Sequence, residues 1–100
     1  SININNVEGK TMQKPRHLER IVKGFANHRR IEIAALLDQK PELSLTEIAD
    51  ALRINFKTAC DHVRRLTIAG LVMKRNEGSA VRHALTPQGN LILKFLRTLE

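Results

Sequence analysis

The chain has 100 residues, 42% of them hydrophobic, which gives room for one small core and so for one domain rather than two. Seventeen Lys and Arg against ten Asp and Glu leave a formal charge of +7, which favours a polyanionic partner, either nucleic acid or an anionic membrane surface. The single cysteine, Cys60, excludes an internal disulfide and a multi-sulfur zinc site, and no apolar run nears the roughly 20 residues that span a bilayer or resembles a secretion signal, so a cytoplasmic protein without metal or cofactor is expected.

Residues 1–14 are polar and aperiodic and read as a flexible N-terminal arm, to which no role is assigned. The folded domain is expected over residues 15–100. Pro15 suits a first helical turn, and Leu18, Ile21, Val22 and Phe25 recur at the spacing that lines one helix face. After a break near Asn27, the run Ile31, Ile33, Ala34, Leu36, Leu37 is apolar on more than one side, as in a helix buried among others, and Pro41 stops it. Ser44 and Glu47 have the spacing of a capping box, which starts a third helix with Leu45, Ile48, Ala49 and Leu52 as its inner stripe. Arg53-Ile54-Asn55 then makes a three-residue connection. Asn55 caps a fourth helix whose inner stripe is Ala59, Val63 and Leu66 and which ends at Gly70, a residue that tolerates a left-handed backbone.

Beyond Gly70 the period shortens toward 2. Residues 71–75 and 80–85 read as the strands of a hairpin with a polar tip at 76–79. Thr86 and Pro87 begin a last helix in which Leu91, Ile92, Leu93, Phe95, Leu96 and Leu99 place six large apolar side chains in nine positions. One small core does not need so many. The surplus predicts that Ile92, Phe95, Leu96 and Leu99 bury against a second copy of the chain. The predicted class is therefore mainly α with a small β-hairpin, in the order α-α-α-α-β-β-α.

Charge is segregated along this order. Residues 31–52 carry Glu32, Asp38, Glu42, Glu47 and Asp50 against Lys40, a net of −4. Residues 53–82 carry Arg53, Lys57, Arg64, Arg65, Lys74, Arg75 and Arg82 against Asp61 and Glu77, a net of +5, so the second segment is expected to face the anion.

Ser44-Leu45-Thr46-Glu47-Ile48-Ala49-Asp50-Ala51-Leu52, then Thr58-Ala59-Cys60-Asp61-His62-Val63 and Leu66 to Val72, resemble the run from capped helix through recognition helix into the first wing strand of the ArsR-type regulators and the related MarR-type regulators. Asn27-His28-Arg29-Arg30-Ile31 resembles that family's turn into its second helix, and Leu85-Thr86-Pro87-Gln88-Gly89 its exit from the wing. The resemblance covers residues 16 to about 90 and implies a winged helix-turn-helix that binds DNA. The chain departs from the family at Arg53, where Gly is usual, and lacks the aromatic of the second wing strand. It also lacks the cysteine pair by which metal-sensing members bind their ion, since residues 46–52 contain no thiol, so metal sensing is not carried over.

An α-helix fits the major groove, where each base pair shows its own pattern of donors, acceptors and methyl groups. With Ala59, Val63 and Leu66 turned inward, the outward residues of the fourth helix include Lys57, Thr58 and Asp61 near its N-terminus, the expected base readers. Arg64 and Arg65 further along, with Lys74, Arg75 and Arg82 of the wing, are expected on phosphates. The N–H groups at the helix starts of Ser44 and Asn55 could add phosphate contacts. Phe56 is expected to pack against a neighbouring element, His62 to lie half-buried at the helix edge, and Cys60 to be an inert small side chain.

The leading expectation is a sequence-specific regulator of transcription acting on double-stranded DNA as a homodimer. The alternative is a winged helix used as a protein-interaction or polymerase-associated module. An enzyme is not expected: the sequence offers no phosphate-cradling Gly loop, no paired nucleophile and base, and no metal-ligand cluster.

Overall fold

The computed structural model describes residues 14–100; the rest of the expected N-terminal arm, residues 1–13, lies outside the described residues. The elements follow in the expected order: α1 (Pro15–Phe25), α2 (His28–Gln39), α3 (Leu45–Leu52), α4 (Phe56–Ile68), β1 (Val72–Glu77), β2 (Ala80–Leu85) and α5 (Pro87–Arg97).

Each helix start is set by the residue that the sequence offers for it. The Asn27 carboxamide oxygen accepts from the N–H groups of Arg29 and Arg30, and Thr86 Oγ1 accepts from Gly89 N–H ahead of Pro87. In the Ser44 capping box, Ser44 Oγ accepts from Glu47 N–H at 3.1 Å while the Glu47 carboxylate accepts from Ser44 N–H at 2.9 Å. α3 ends on Arg53, which takes the left-handed conformation with φ 55° and ψ 45°. A side chain there costs about 1 kcal/mol relative to glycine, and the turn between α3 and α4 adopts the conformation all the same.

The core lies where these elements converge. Ile33, Leu37, Ile48, Val63, Leu66 and Val72 are buried, with Ala59 in the first turn of α4, so the predicted inner stripes of α3 and α4 meet α2 at one place. β1 and β2 pair antiparallel from Val72↔Leu85 to Glu77↔Ala80, leaving a two-residue tip of Gly78 and Ser79. Gly78 takes φ 62°, the positive value required of the first residue in a type II′ turn. β1 therefore runs two residues further toward the tip than the sequence pattern suggested, while β2 begins where it was expected.

His83 is the one buried polar residue of the core among the described residues. It shares a strand face with Leu85, and its Nδ1–H donates to the Leu43 carbonyl at 2.9 Å. Backbone bonds from Glu42 N–H to His83 O and from His83 N–H to Leu43 O complete the tie between β2 and the segment ahead of α3. The hairpin is thus fastened to the helix that precedes the turn.

α5 leaves the wing by passing close under the chain at Leu71. A Cβ on Gly89 would run into the Leu71 carbonyl oxygen and also press on Leu85, and a backbone oxygen cannot swing aside as a side chain does. Gly89→Ala is expected to destabilise the fold by about 2–3 kcal/mol, read as a lower urea midpoint at unchanged slope.

Candidate nucleic-acid interface

The recognition-helix candidate is α4, and the packing of its inner side decides what its outer side can do. Ala59, Val63 and Leu66 are buried, which turns Lys57, Thr58, Arg64 and Arg65 out to solvent and leaves Asp61 and His62 half-buried at the edges. The N-terminal end is the open one. Phe56 is 52% exposed beside Lys57 and Thr58, so it is not packed away as the sequence reading expected; at the first position of α4 it precedes the inward stripe.

Asp61 is less free than a base reader was expected to be. Its carboxylate accepts from Arg64 Nη2 at 2.7 Å and from Arg65 Nε at 3.2 Å, one oxygen to each arginine. These hydrogen bonds, from Arg64 first and then Arg65, hold the Asp61 carboxyl below the ordinary aspartate range. The three residues form a small exposed network in which Asp61 fixes the arginines' direction and offsets part of their charge.

The caps also change the expected role of the helix starts. Asn55 Oδ1 takes the N–H groups of Lys57 at 2.8 Å and Thr58 at 3.3 Å, and the Ser44 box takes those of Ser44 and Glu47. These four N–H groups are therefore bonded within the chain, whereas those of Leu45, Thr46 and Phe56 take no part in the caps.

In the wing, Arg75 and Arg82 are turned back onto the body of the domain. Arg75 meets Glu42 through Nη2 at 3.1 Å and through Nε at 3.2 Å, and Glu77 at 2.9 Å. Arg82 donates to Glu47 at 3.3 Å and to the Glu42 carbonyl at 3.4 Å. The acidic segment 31–52 thus pairs with two of the cations expected on phosphate, a pairing that one-dimensional charge segregation could not show. Lys74 is exposed and forms no ion pair among the described residues.

Glu42 is a residue the sequence reading passed over. It holds a left-handed backbone with φ 71° directly after Pro41, and from there its carboxylate reaches Arg75 across the wing. Leu91, in α5, was also given no role. Leu91, Phe95 and Leu99 recur every four residues and are 65%, 55% and 67% exposed, whereas Ile92 and Leu96 lean on the chain's own core and Leu93 is buried in it. The most exposed apolar strip therefore runs along Leu91 and Phe95 to Leu99 just beyond α5, and Ile92 and Leu96 are partly buried beside it. Leu18 and Val22 of α1 are exposed apolar residues as well.

No protein-family model matches the chain. Over 73 residues it is 29% identical to the cadmium resistance transcriptional regulatory protein CadC homolog of Staphylococcus aureus; the match takes in 73% of this chain but only 60% of the relative's length. Among solved structures, it superposes with a TM-score of 0.78 and 27% identity on the homodimeric winged helix-turn-helix DNA-binding domain of a possible ArsR-family transcriptional regulator from Mycobacterium bovis, covering 91% of this chain and 87% of that one. The transcriptional regulator HlyU of Vibrio vulnificus gives a TM-score of 0.71 at 28% identity, covering 87% of this chain and 91% of the other. The fold is a winged helix-turn-helix, similar to that of a possible ArsR-family regulator. In that frame α3 and α4 are the helix-turn-helix pair, with α4 as the recognition helix, and the hairpin of β1 and β2 is the wing.

His62 stands beside the arginines of α4 in this winged helix-turn-helix. Its Nδ1 is buried without a hydrogen-bond partner, and burial first, then the charge of Arg30, pushes the imidazole below its ordinary value of 6.5. Unfolding frees His62 to take up a proton at the ordinary pH. As pH falls from 6.5 toward the lower folded value, the unfolded state is protonated first and stability declines, whereas above 6.5 the stabilisation is complete. A pH series of urea midpoints should show this decline in the native protein, and His62→Gln should remove it.

Proposed function

We propose that the chain is a cytoplasmic regulator of transcription that binds double-stranded DNA sequence-specifically as a homodimer, with a binding rather than a catalytic role. The observation that carries this reading is the outward ridge of α4: Lys57, Thr58, Arg64 and Arg65 are exposed while the opposite side of the same helix is buried, which leaves a cationic rod standing clear of its scaffold. The curated relative and the solved neighbours are named as transcriptional regulators, and one neighbour as a homodimeric DNA-binding domain, in support of it. No helix among the described residues is long and apolar enough to cross a membrane.

In this reading the N-terminal end of α4 enters the major groove. Lys57 donates to a guanine edge, Thr58 contacts a neighbouring base, and Asp61 accepts from a cytosine amine with the oxygen lone pairs its arginines leave over. Phe56 is placed to touch a thymine methyl. Arg64, Arg65 and Lys74 meet phosphates. Arg75 and Arg82 hold the wing to Glu42 and Glu47, and Ser44 and Asn55 set the helix starts, so these four act on DNA by positioning the surface that contacts it.

Selection of bound sequences from a random duplex pool tests the proposal. The expected product is a pseudo-palindrome with half-sites about one helical turn apart, whose preference shifts with Lys57→Ala. A pool that shows no enrichment, with binding indifferent to salt, would assign the domain to protein interaction instead.

A further inference from the structure

A second cationic surface lies behind the recognition helix. The C-terminal end of α1, the start of α2 and the C-terminal half of α4 enclose an open cleft of about 310 Å³, lined by the side chains of Arg20, Lys23, Arg30, Arg64 and Arg65. Gly24 and Ala69 touch at its floor, so closely that a side chain on Gly24 would collide with the Ala69 methyl, and Ile68 forms an exposed apolar wall. The volume falls at the lower end of the range for small-molecule sites.

Part of the charge is accounted for within the domain. Arg30 donates through Nη1 to the Lys23 and Gly24 carbonyls at 3.2 and 3.1 Å, which caps the end of α1, yet its Nε is buried and has no partner. Glu19 pairs with Lys23 at 3.3 Å, and Asp61 serves both Arg64 and Arg65. Five cations against these two carboxylates leave three positive charges gathered on one recess, more than the partial negative charge of about half a unit at each helix C-terminus would balance. A dianion bearing several oxygens answers that surplus better than a single carboxylate does. The fork geometry of guanidinium suits phosphate oxygens in the same way.

We infer that this cleft binds a small phosphorylated molecule, its phosphoryl group held by Arg20, Arg30 and Arg65 and its apolar body laid against Ile68. Bound there, it competes for Arg64 and Arg65 and weakens the grip of α4 on duplex DNA; this second step rests on the proposed DNA-binding function, whereas the binding of phosphate does not. The phosphate is a free ligand's rather than the DNA backbone's. Arg64 and Arg65 are shared with the proposed DNA surface, but the cleft's inner wall at Ile68 and Ala69 lies about 16 Å along the helix from Lys57, the end that enters the groove.

The test is an amide and imidazole NMR titration with inorganic phosphate and with phenyl phosphate, at ionic strength held constant by chloride. The expected result is saturable movement of the Gly24, Arg65 and Ala69 signals, with phenyl phosphate binding more tightly and the His62 titration moving upward as negative charge arrives beside it. Arg20→Gln with Lys23→Gln, both exposed and safe for the fold, should weaken binding about tenfold. Lys40→Gln with Lys94→Gln removes the same net charge away from the cleft and should leave binding unchanged. Signals that drift without saturating, or that respond alike in both double variants, would overturn the site. Movement of Gly24 and Ala69 by a short duplex but by neither small phosphate would assign the cleft to DNA and likewise overturn it. Saturable phosphate binding with unchanged duplex affinity would overturn the competition alone, and absence of any duplex binding would count against the proposed function while leaving the phosphate site standing.

Discussion

Replacing Arg64 and Arg65 together with alanine is expected to weaken binding to every duplex about a hundredfold at moderate salt, with little change in which sequence is preferred. Two phosphate contacts are removed, so the slope of log affinity against log salt should become shallower by about 1.8. Stability should hardly change, because both side chains are exposed and their partner Asp61 keeps 45% of its side chain in solvent. The companion variant Asp61→Asn separates two roles of that carboxylate. If Asp61 restrains the arginines, the amide should raise affinity for all sequences, since it removes a charge that competes with phosphate. If it also reads a cytosine amine, the gain should be smaller on the selected site than on random duplex. Fluorescence anisotropy over a salt series on both duplexes gives each quantity. Unaltered affinity and slope in the double alanine variant would remove α4 from the interface.

The elements of this chain were legible because each is announced locally. The Ser44 and Glu47 spacing, the Asn55 and Thr86 caps and the Gly70 stop all act over three or four residues, so the sequence names the partners directly. The inner stripes of α3 and α4 were legible for a similar reason, one period per element. Side chains that bond across the fold were not. Glu42 reaches Arg75 thirty-three residues later and Glu47 reaches Arg82 thirty-five later, and nothing in either local pattern specifies the pairing. The rotation of α5 was hidden for the same reason. Periodicity showed too many apolar residues but could not say that Ile92 and Leu96 would face inward and Leu91 outward, because that depends on how the helix is rotated when it docks. One signal was available and unused: Arg29 and Arg30 stand in the first turn of α2, where the helix dipole disfavours cations. A charge at an unfavourable position implies a tertiary partner, and Arg30 has one in the carbonyl end of α1.

Leu91→Asp with Phe95→Asp is expected to convert a dimer into a folded monomer. Leu91, Phe95 and Leu99 are each more than half exposed on one chain, so they contribute little to its own core, and their four-residue spacing makes a continuous apolar strip along α5. Burying that strip against a second copy removes it from water, and a carboxylate placed in it would be buried without a partner, at a cost that outweighs the apolar gain. Sedimentation equilibrium should report the dimer for the native chain and the monomer for the variant, with thermal unfolding of the variant cooperative and near that of an isolated native subunit. Leu96→Asp should behave differently, because Leu96 rests on the core: it should lower the unfolding temperature itself. The consequence for DNA is the larger effect. A dimer holds its second recognition helix at high local concentration over the second half-site, so loss of the interface should cost the full palindrome about 10²–10⁴-fold in affinity while a single half-site binds as before. A native chain that sediments as a monomer, or a doubly substituted one that still dimerises, would show that the strip along α5 is not what joins two recognition helices.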